Sequence, residues 1–173
     1  MVPTIAQQLR GVQAALTKTI VPALPADDSF VQEQAGLALA TLAWVLDVQA
    51  DETLYEATER AEYRDLLTAL DGLGSVPADP ASAVPSGGPD AIPDLVAVRA
   101  ETRALKSAVE ARFAAVTADG SDEEVEDARR LMLQAAERQA VREQSWFRMT
   151  GFPADVAGDV RSVLESRQGG GRS

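Results

Sequence analysis

Four glutamates on one predicted helix are the first residues in this chain whose type and spacing suggest chemistry: Glu52, Glu56, Glu59 and Glu62. Residues three and four apart share one face of a helix, and clustered carboxylates can bind a hard cation such as Ca²⁺. The alternative is a solvated face on which Arg60 and Arg64 relieve the repulsion between the acids. We favour the solvated face, because the pattern does not define a ligand geometry.

A basic row on the fourth predicted helix is a candidate site for an anion. Arg99, Arg103 and Lys106 recur at spacings of four and three residues, so they share one face. Such a row can bind a phosphate group or the acids of a partner protein. Because Glu101 and Glu110 are close enough to pair with parts of the row, we favour an ordinary surface face and keep anion binding as the alternative.

The segment from Arg138 to Pro153 contains residue types that are common in protein–protein interfaces. Trp, Phe, Met and Arg are enriched in interface cores. The segment therefore predicts a partner-binding surface that consists of Arg138, Arg142, Trp146, Phe147 and Phe152. The alternative is a satellite core, in which the aromatic rings hold the last helix against the rest of the chain. The sequence leaves both interpretations open.

The residue types that are missing exclude most catalytic sites. The chain has no histidine and no cysteine, so it lacks the commonest general base, the commonest nitrogen ligand of metals and the only thiol nucleophile. No Ser-His-Asp triad, Cys-His dyad or zinc site can form. The motifs GxxxxGK[ST], GxGxxG and GxSxG are also absent. We therefore predict no catalytic residue, no cofactor and no tight metal site.

The net charge of −11 disfavours nucleic acid and anionic membranes as partners, because both attract basic patches. The first residues show no basic segment followed by an apolar run, and the longest apolar stretch, residues 35–48, is too short to span a bilayer. We expect a cytoplasmic protein.

Aromatic residues make up only 5% of the chain, so the core must consist mainly of Ala, Leu and Val, which suit closely packed helices.

Hydrophobic periodicity predicts an all-α fold, a helical bundle of about six helices, at residues 4–21, 28–48, 53–70, 94–118, 121–149 and 153–166. The predicted organisation is an N-terminal three-helix part (1–71), a Pro/Gly-rich linker (72–93), a C-terminal helical hairpin with a short helix (94–167) and a disordered tail (168–173).

Local patterns predict where these helices begin and which of their faces are buried. The predicted N-terminal caps are Thr4, Thr53 and Ser121; the second helix is predicted to start near Asp28 or Ser29, with Ser29 and Gln32 as its capping box. Residues 35–47 are apolar on nearly every side, so the second helix is predicted to be the buried central helix. The predicted buried stripe of the first helix is Ile5, Leu9, Val12, Leu16 and Ile20, and that of the fourth is Leu95, Val98, Thr102, Leu105, Val109 and Val116.

The first two helices also resemble a known family. The run TIAQQLRGVQAALTKTIVPAL ends in Val21-Pro22-Ala23-Leu24, and the alanine- and leucine-rich run FVQEQAGLALATLAWVLD follows it. This pattern resembles a small all-helical bacterial family of accessory subunits, which partner kinases of the aminoglycoside-phosphotransferase fold. Those kinases act on hydroxyacyl-CoA compounds and are commonly encoded beside acyl-CoA dehydrogenases. The resemblance covers about residues 4–70 and implies no catalytic residue on this chain.

The leading hypothesis is a non-catalytic accessory subunit that binds a phosphotransferase-type kinase in acyl-CoA catabolism. The alternative is a stand-alone helical protein that binds a small molecule or an acyl chain, for which an enclosed apolar pocket would be the distinguishing feature. The third hypothesis is an enzyme that uses Glu, Arg and Tyr, which turnover by the purified chain would identify. We expect a protein partner, allow for a homo-oligomer, and expect neither nucleic acid nor membrane.

Overall fold

A computed structural model describes residues 2–73, 94–150 and 159–168, and all regular elements in these ranges are helical. The α-helices are α1 (Ile5–Ala15), α2 (Ser29–Val48), α3 (Glu52–Asp71), α4 (Leu95–Asp119), α5 (Asp122–Phe147) and α6 (Val160–Gln168). A π-helical segment (Leu16–Ile20) and a 3₁₀ turn (Val21–Ala23) extend α1, and a second 3₁₀ turn (Arg148–Thr150) follows α5. The predicted all-α class with about six helices is confirmed.

The chain divides into two compact units. The terminal unit combines Met1–Glu52 with Glu143–Ser173, and the central unit is Thr53–Arg142. This division differs from the predicted one, because nearly all of α3 belongs to the same unit as α4 and the larger part of α5. Most of the predicted linker (72–93), the start of the predicted last helix (153–166) and nearly all of the predicted tail (168–173) lie outside the described residues.

The helix caps follow the local sequence at two of the four predicted positions. Thr4 forms a capping box with Gln7 at the start of α1, and Ser121 forms one with Glu124 at the start of α5. The prediction of a Ser29 cap is wrong, because Asp28 accepts the hydrogen bond from the backbone of Val31 instead. The prediction of a Thr53 cap is also wrong, since α3 already begins at Glu52.

The core of the central unit is formed by leucine and valine side chains from three helices. Five of the six residues in the predicted stripe of α4 are buried: Val98, Thr102, Leu105, Val109 and Val116. Leu105, Val109 and Val116 pack in one cluster with Leu66, Leu67, Leu70 and Ala128 of α3 and α5. Only Gly120 and Ser121 separate α4 from α5, so the two helices form the predicted hairpin. This core positions the polar side chains described below.

The prediction that α2 is the buried central helix is wrong. Only Val48 of this helix is buried, while Phe30 is 68% exposed and Leu37 is 55% exposed. The α1 helix likewise contributes no buried residue, so its predicted stripe is not a core stripe. A helix that is apolar on every side needs neighbours on every side. Helix α2 packs against α1 and against the 3₁₀ turn Arg148–Thr150, which leave part of its surface uncovered.

Candidate functional site

The acidic row of α3 and the basic row of α4 pair with each other in the central unit. Arg99 Nε lies 2.7 Å from Glu56 Oε1, and Lys106 Nζ lies 3.1 Å from Glu59 Oε1. The Lys106 ammonium also sits 5.1 Å from the centre of the Tyr63 ring. The two charged rows that suggested separate cation and anion sites therefore neutralise each other in part. Arg103, the third member of the predicted anion site, is exposed and does not take part in these two pairs.

Arg142 of α5 is the most buried charge in this network, with 2% of its side chain exposed. Its guanidinium donates a hydrogen bond to Glu62, and its Nη2 lies 3.4 Å from Glu59 Oε1. The guanidinium also lies 5.3 Å from the centre of the Tyr55 ring, within the range of a cation–π contact. A charge this deeply buried needs such partners, because its desolvation is costly. We therefore assign Arg142 to an internal ion pair rather than to a docking surface.

Three further ion pairs lie in the central unit, two of them at Glu101 and one at Arg112. Glu101 of α4 accepts hydrogen bonds from both Arg60 and Arg64 of α3. These two arginines therefore bind an acid of α4, although the sequence suggested that they pair with the acids of their own helix. Arg112 is buried in the stripe of α4, with its Nε 2.9 Å from Asp71 Oδ1. Within the described residues, no group of three or more acidic side chains is arranged to hold a metal ion.

A small depression lies next to Arg142 in the central unit. It is lined by Glu62, Tyr63, Leu66, Ala135, Gln139 and Arg142, and the Tyr63 hydroxyl donates a hydrogen bond of 2.9 Å to Gln139 Oε1. The depression has room for about one water molecule. It is too small for an acyl chain, so it does not support the hypothesis of a stand-alone acyl-chain-binding protein.

An aromatic pair in the terminal unit joins the end of α5 to α2. The indole Nε1 of Trp44 donates a hydrogen bond of 2.9 Å to the backbone carbonyl of Trp146. The rings of Trp44 and Phe147 stack with their centroids 5.7 Å apart. Phe147 nevertheless remains 44% exposed, and Met149 two residues later is about equally exposed. We call Trp44, Phe147 and Met149 the aromatic patch.

Two ion pairs attach other segments of the terminal unit to the end of α2. Arg148 Nε lies 3.0 Å from Asp47 Oδ2, and Arg161 of α6 donates to Asp51 through two nitrogens, at 3.0 and 2.8 Å. The hydrogen bond and the negative charge of Asp51 raise the pKa of Arg161 above its ordinary value, so the arginine stays charged. Sequence reasoning missed both pairs, because nothing local marks acids and arginines about 100 residues apart as partners.

The predicted partner-binding residues thus lie in two different environments. Arg142 is buried in the central unit, while Phe147 is partly exposed in the terminal unit. Arg138 and Trp146 are half-buried, and Phe152 lies outside the described residues. The Nε atom of Arg138 is buried without a hydrogen-bond partner within the described ranges. Among the four of these residues that the structure describes, Phe147 is the most exposed.

No protein-family model, curated protein or solved structure matches this chain. In the part of the chain that the structure describes, no helix is both long enough and apolar enough to cross a membrane.

Proposed function

We propose that this chain is a non-catalytic interaction subunit that binds a protein partner through its aromatic patch. The observation that carries the proposal is the half-exposed pair Phe147 and Met149 at the end of a long helix, next to the half-buried ring of Trp44. Aromatic side chains and methionine are enriched at interface cores, where a few large side chains provide most of the binding energy. The kinase of the aminoglycoside-phosphotransferase fold is the partner class that the family resemblance implies.

The contacts behind the patch favour a docking role. The stacked ring and indole hydrogen bond of Trp44 hold the end of α5, and the pair of Arg148 with Asp47 holds the following turn. A surface that is already ordered loses little conformational entropy on binding, which increases the affinity that a given contact area provides. The patch is therefore preorganised for a partner.

The chemistry of the remaining side chains supports a non-catalytic role. The chain has no histidine or cysteine, and the acids on the inner face of α3 pair with arginine and lysine of α4 and α5. These carboxylates each face a cation of the same chain, and the ion pairs hold α3 against α4 and α5.

The proposal is tested by titrating the purified chain into a purified kinase of this fold that is encoded next to its gene. We expect Phe147→Ala and Met149→Ala each to weaken binding by about tenfold or more, as the loss of an interface anchor does. Leu133→Ala is the matched control, because Leu133 is 66% exposed on α5 but lies in the central unit. Thermal melting of each variant separates lost affinity from lost stability.

Two results would contradict the proposal. The first is equal affinity of all three variants for the kinase. The second is a lower melting temperature of Phe147→Ala together with unchanged affinity at a temperature where the variant is folded, because this would assign the patch to a satellite core.

A further inference from the structure

Arg148 differs in its surroundings from the two exposed residues beside it. Phe147 and Met149 are the open members of the aromatic patch, at 44% and 49% exposure. Arg148 stands between them in the sequence, yet it is half-buried, and only 25% of its side chain is exposed. A surface arginine ordinarily keeps its charged head in water. The inward position of Arg148 therefore indicates a role inside the protein.

The guanidinium of Arg148 is held at two points by one carboxylate of α2. Its Nε lies 3.0 Å from Oδ2 of Asp47, and its Nη2 donates a hydrogen bond to Oδ1. Two hydrogen bonds of this kind fix the direction of the guanidinium plane as well as its distance from the acid. A lysine at this position would keep the charge but lose the fixed direction, because an ammonium group is a point charge on a flexible stem.

The acid that holds Arg148 lies on the same face of α2 as Trp44. Asp47 follows Trp44 by three residues, and residues three apart are neighbours on a helix surface. Trp44 contacts the two residues before Arg148. Its indole donates a hydrogen bond to the backbone carbonyl of Trp146, and its ring stacks on Phe147. Three consecutive residues are thus attached to one face of α2, each by a different kind of contact.

We propose that Arg148 is the positioning residue of the aromatic patch. The contacts of Trp44 order residues 146 and 147 at the end of α5. The pair of Arg148 with Asp47 extends this order into the 3₁₀ turn that contains Met149. Arg148 contributes to binding by ordering Phe147 and Met149 before the partner arrives, which lowers the entropic cost of association. This inference rests on the proposed function.

A second arginine–aspartate pair in the terminal unit provides a matched control. Arg161 of α6 donates to Asp51 through Nε and Nη2, but both nitrogens share one carboxylate oxygen. The side chain of Arg161 is 58% exposed, and α6 contains no residue of the aromatic patch. The two pairs therefore consist of the same residue types, while only the pair of Arg148 lies between the docking residues.

Titration of the full-length chain into the purified kinase that tests the proposed function also tests this inference. We expect Arg148→Lys to weaken binding by about fivefold or more, because Phe147 and Met149 must then be ordered during association. Arg161→Lys should change the affinity by no more than about twofold, since an exposed ion pair contributes little. Both variants keep the net charge of the chain, so long-range electrostatic attraction is the same in both. Thermal melts should show both variants folded.

A charge exchange separates positioning from direct contact with the partner. Arg148→Asp places two acids against each other, and the double variant with Asp47→Arg restores an arginine–aspartate pair with its charges exchanged. We expect the single change to weaken binding and the double variant to recover most of the affinity. The tryptophan band of the near-UV circular dichroism spectrum reports the geometry without the partner, because the two tryptophans of the chain are Trp44 and Trp146. This band should shrink in the single variant and return in the double variant.

Three results would overturn the inference. The first is an unchanged tryptophan band in Arg148→Asp, because Arg148 would then not set the geometry. The second is a loss of affinity in Arg148→Asp that Asp47→Arg does not recover, which would make Arg148 a direct contact of the partner. The third is native affinity of Arg148→Lys while Phe147→Ala binds weakly. Failure of the proposed function is a different outcome: Phe147→Ala and Met149→Ala would both keep native affinity, and the tryptophan band would then decide whether Arg148 orders the turn.

Discussion

Replacement of Arg142 by methionine tests whether the charged network holds α5 against α3. Methionine retains the apolar stem but removes the guanidinium, which binds Glu62 and Glu59 and lies over Tyr55. Both glutamates are only 11–12% exposed, so water can replace little of the lost interaction. Removal of one partner from a buried ion pair costs about 3–5 kcal/mol. We expect Arg142→Met to lower the free energy of unfolding by about 3 kcal/mol, at the low end of this range, because Glu59 retains its contact with Lys106.

This loss is large enough to measure by thermal and urea unfolding of the full-length chain, followed by circular dichroism. A chain of this size loses about 2–4 °C of melting temperature per kcal/mol, so the expected decrease is about 6–12 °C. Arg129→Met is the matched control: Arg129 lies on the same helix, but it is 59% exposed and its nearest acid, Glu126, is 3.9 Å away. Exposed pairs of this kind contribute about 0–1 kcal/mol.

The double variant Arg142→Met with Glu62→Gln supplies a second comparison. Neutralising the acid that Arg142 leaves behind should recover part of the lost stability, because an unpaired buried charge is worse than a neutral amide. A loss below about 1 kcal/mol for Arg142→Met, or an additive effect of the two changes, would refute the assignment of Arg142 to a buried ion pair.

Two further predictions concern the core and a helix cap. Leu105→Ala should destabilise the chain by about 2–5 kcal/mol, because Leu105 is fully buried in the core of the central unit. Leu39 of α2 is only half-buried, so Leu39→Ala should lower the free energy of unfolding clearly less in the same urea titration. Equal losses for the two variants would contradict the observed burial. Ser121→Ala should lower the free energy of unfolding by about 1 kcal/mol, since the hydroxyl caps α5 by accepting a hydrogen bond from Glu124 N. Ser121→Thr keeps a capping hydroxyl and should therefore lower the free energy of unfolding less. Equal effects of the two changes would exclude a capping role.

The positions of the helices could be predicted because they depend on neighbours along the chain. The caps at Thr4 and Ser121 need only a partner three residues later, and the buried stripe of α4 follows from spacing within one helix. The fold class follows from the same local information. The two wrong caps, at Ser29 and Thr53, show the limit of this approach. Several nearby residues could cap each helix, and the sequence does not decide which of them does.

The partners of the charged residues were decided only in the tertiary structure. The acidic row of α3 and the basic row of α4 look like two separate surface features in the sequence, although each contains the partners of the other. Arg142 lies in a segment rich in residue types that are common at interfaces, yet it pairs with Glu62, which lies 80 positions earlier. Such pairs depend on which helices meet, and spacing within one helix contains no information about that.

The sequence by itself therefore determined the helical class, the main helix boundaries and the absence of histidine and cysteine chemistry. These properties follow from residue type and from contacts within a few positions. The tertiary structure decided that α3 joins α4 and α5, that Arg142 is internal and that α2 exposes Phe30 and Leu37. Burial depends on what covers a side chain, and the periodicity of α2 shows only how apolar the helix is, not whether this chain supplies the neighbours to cover it.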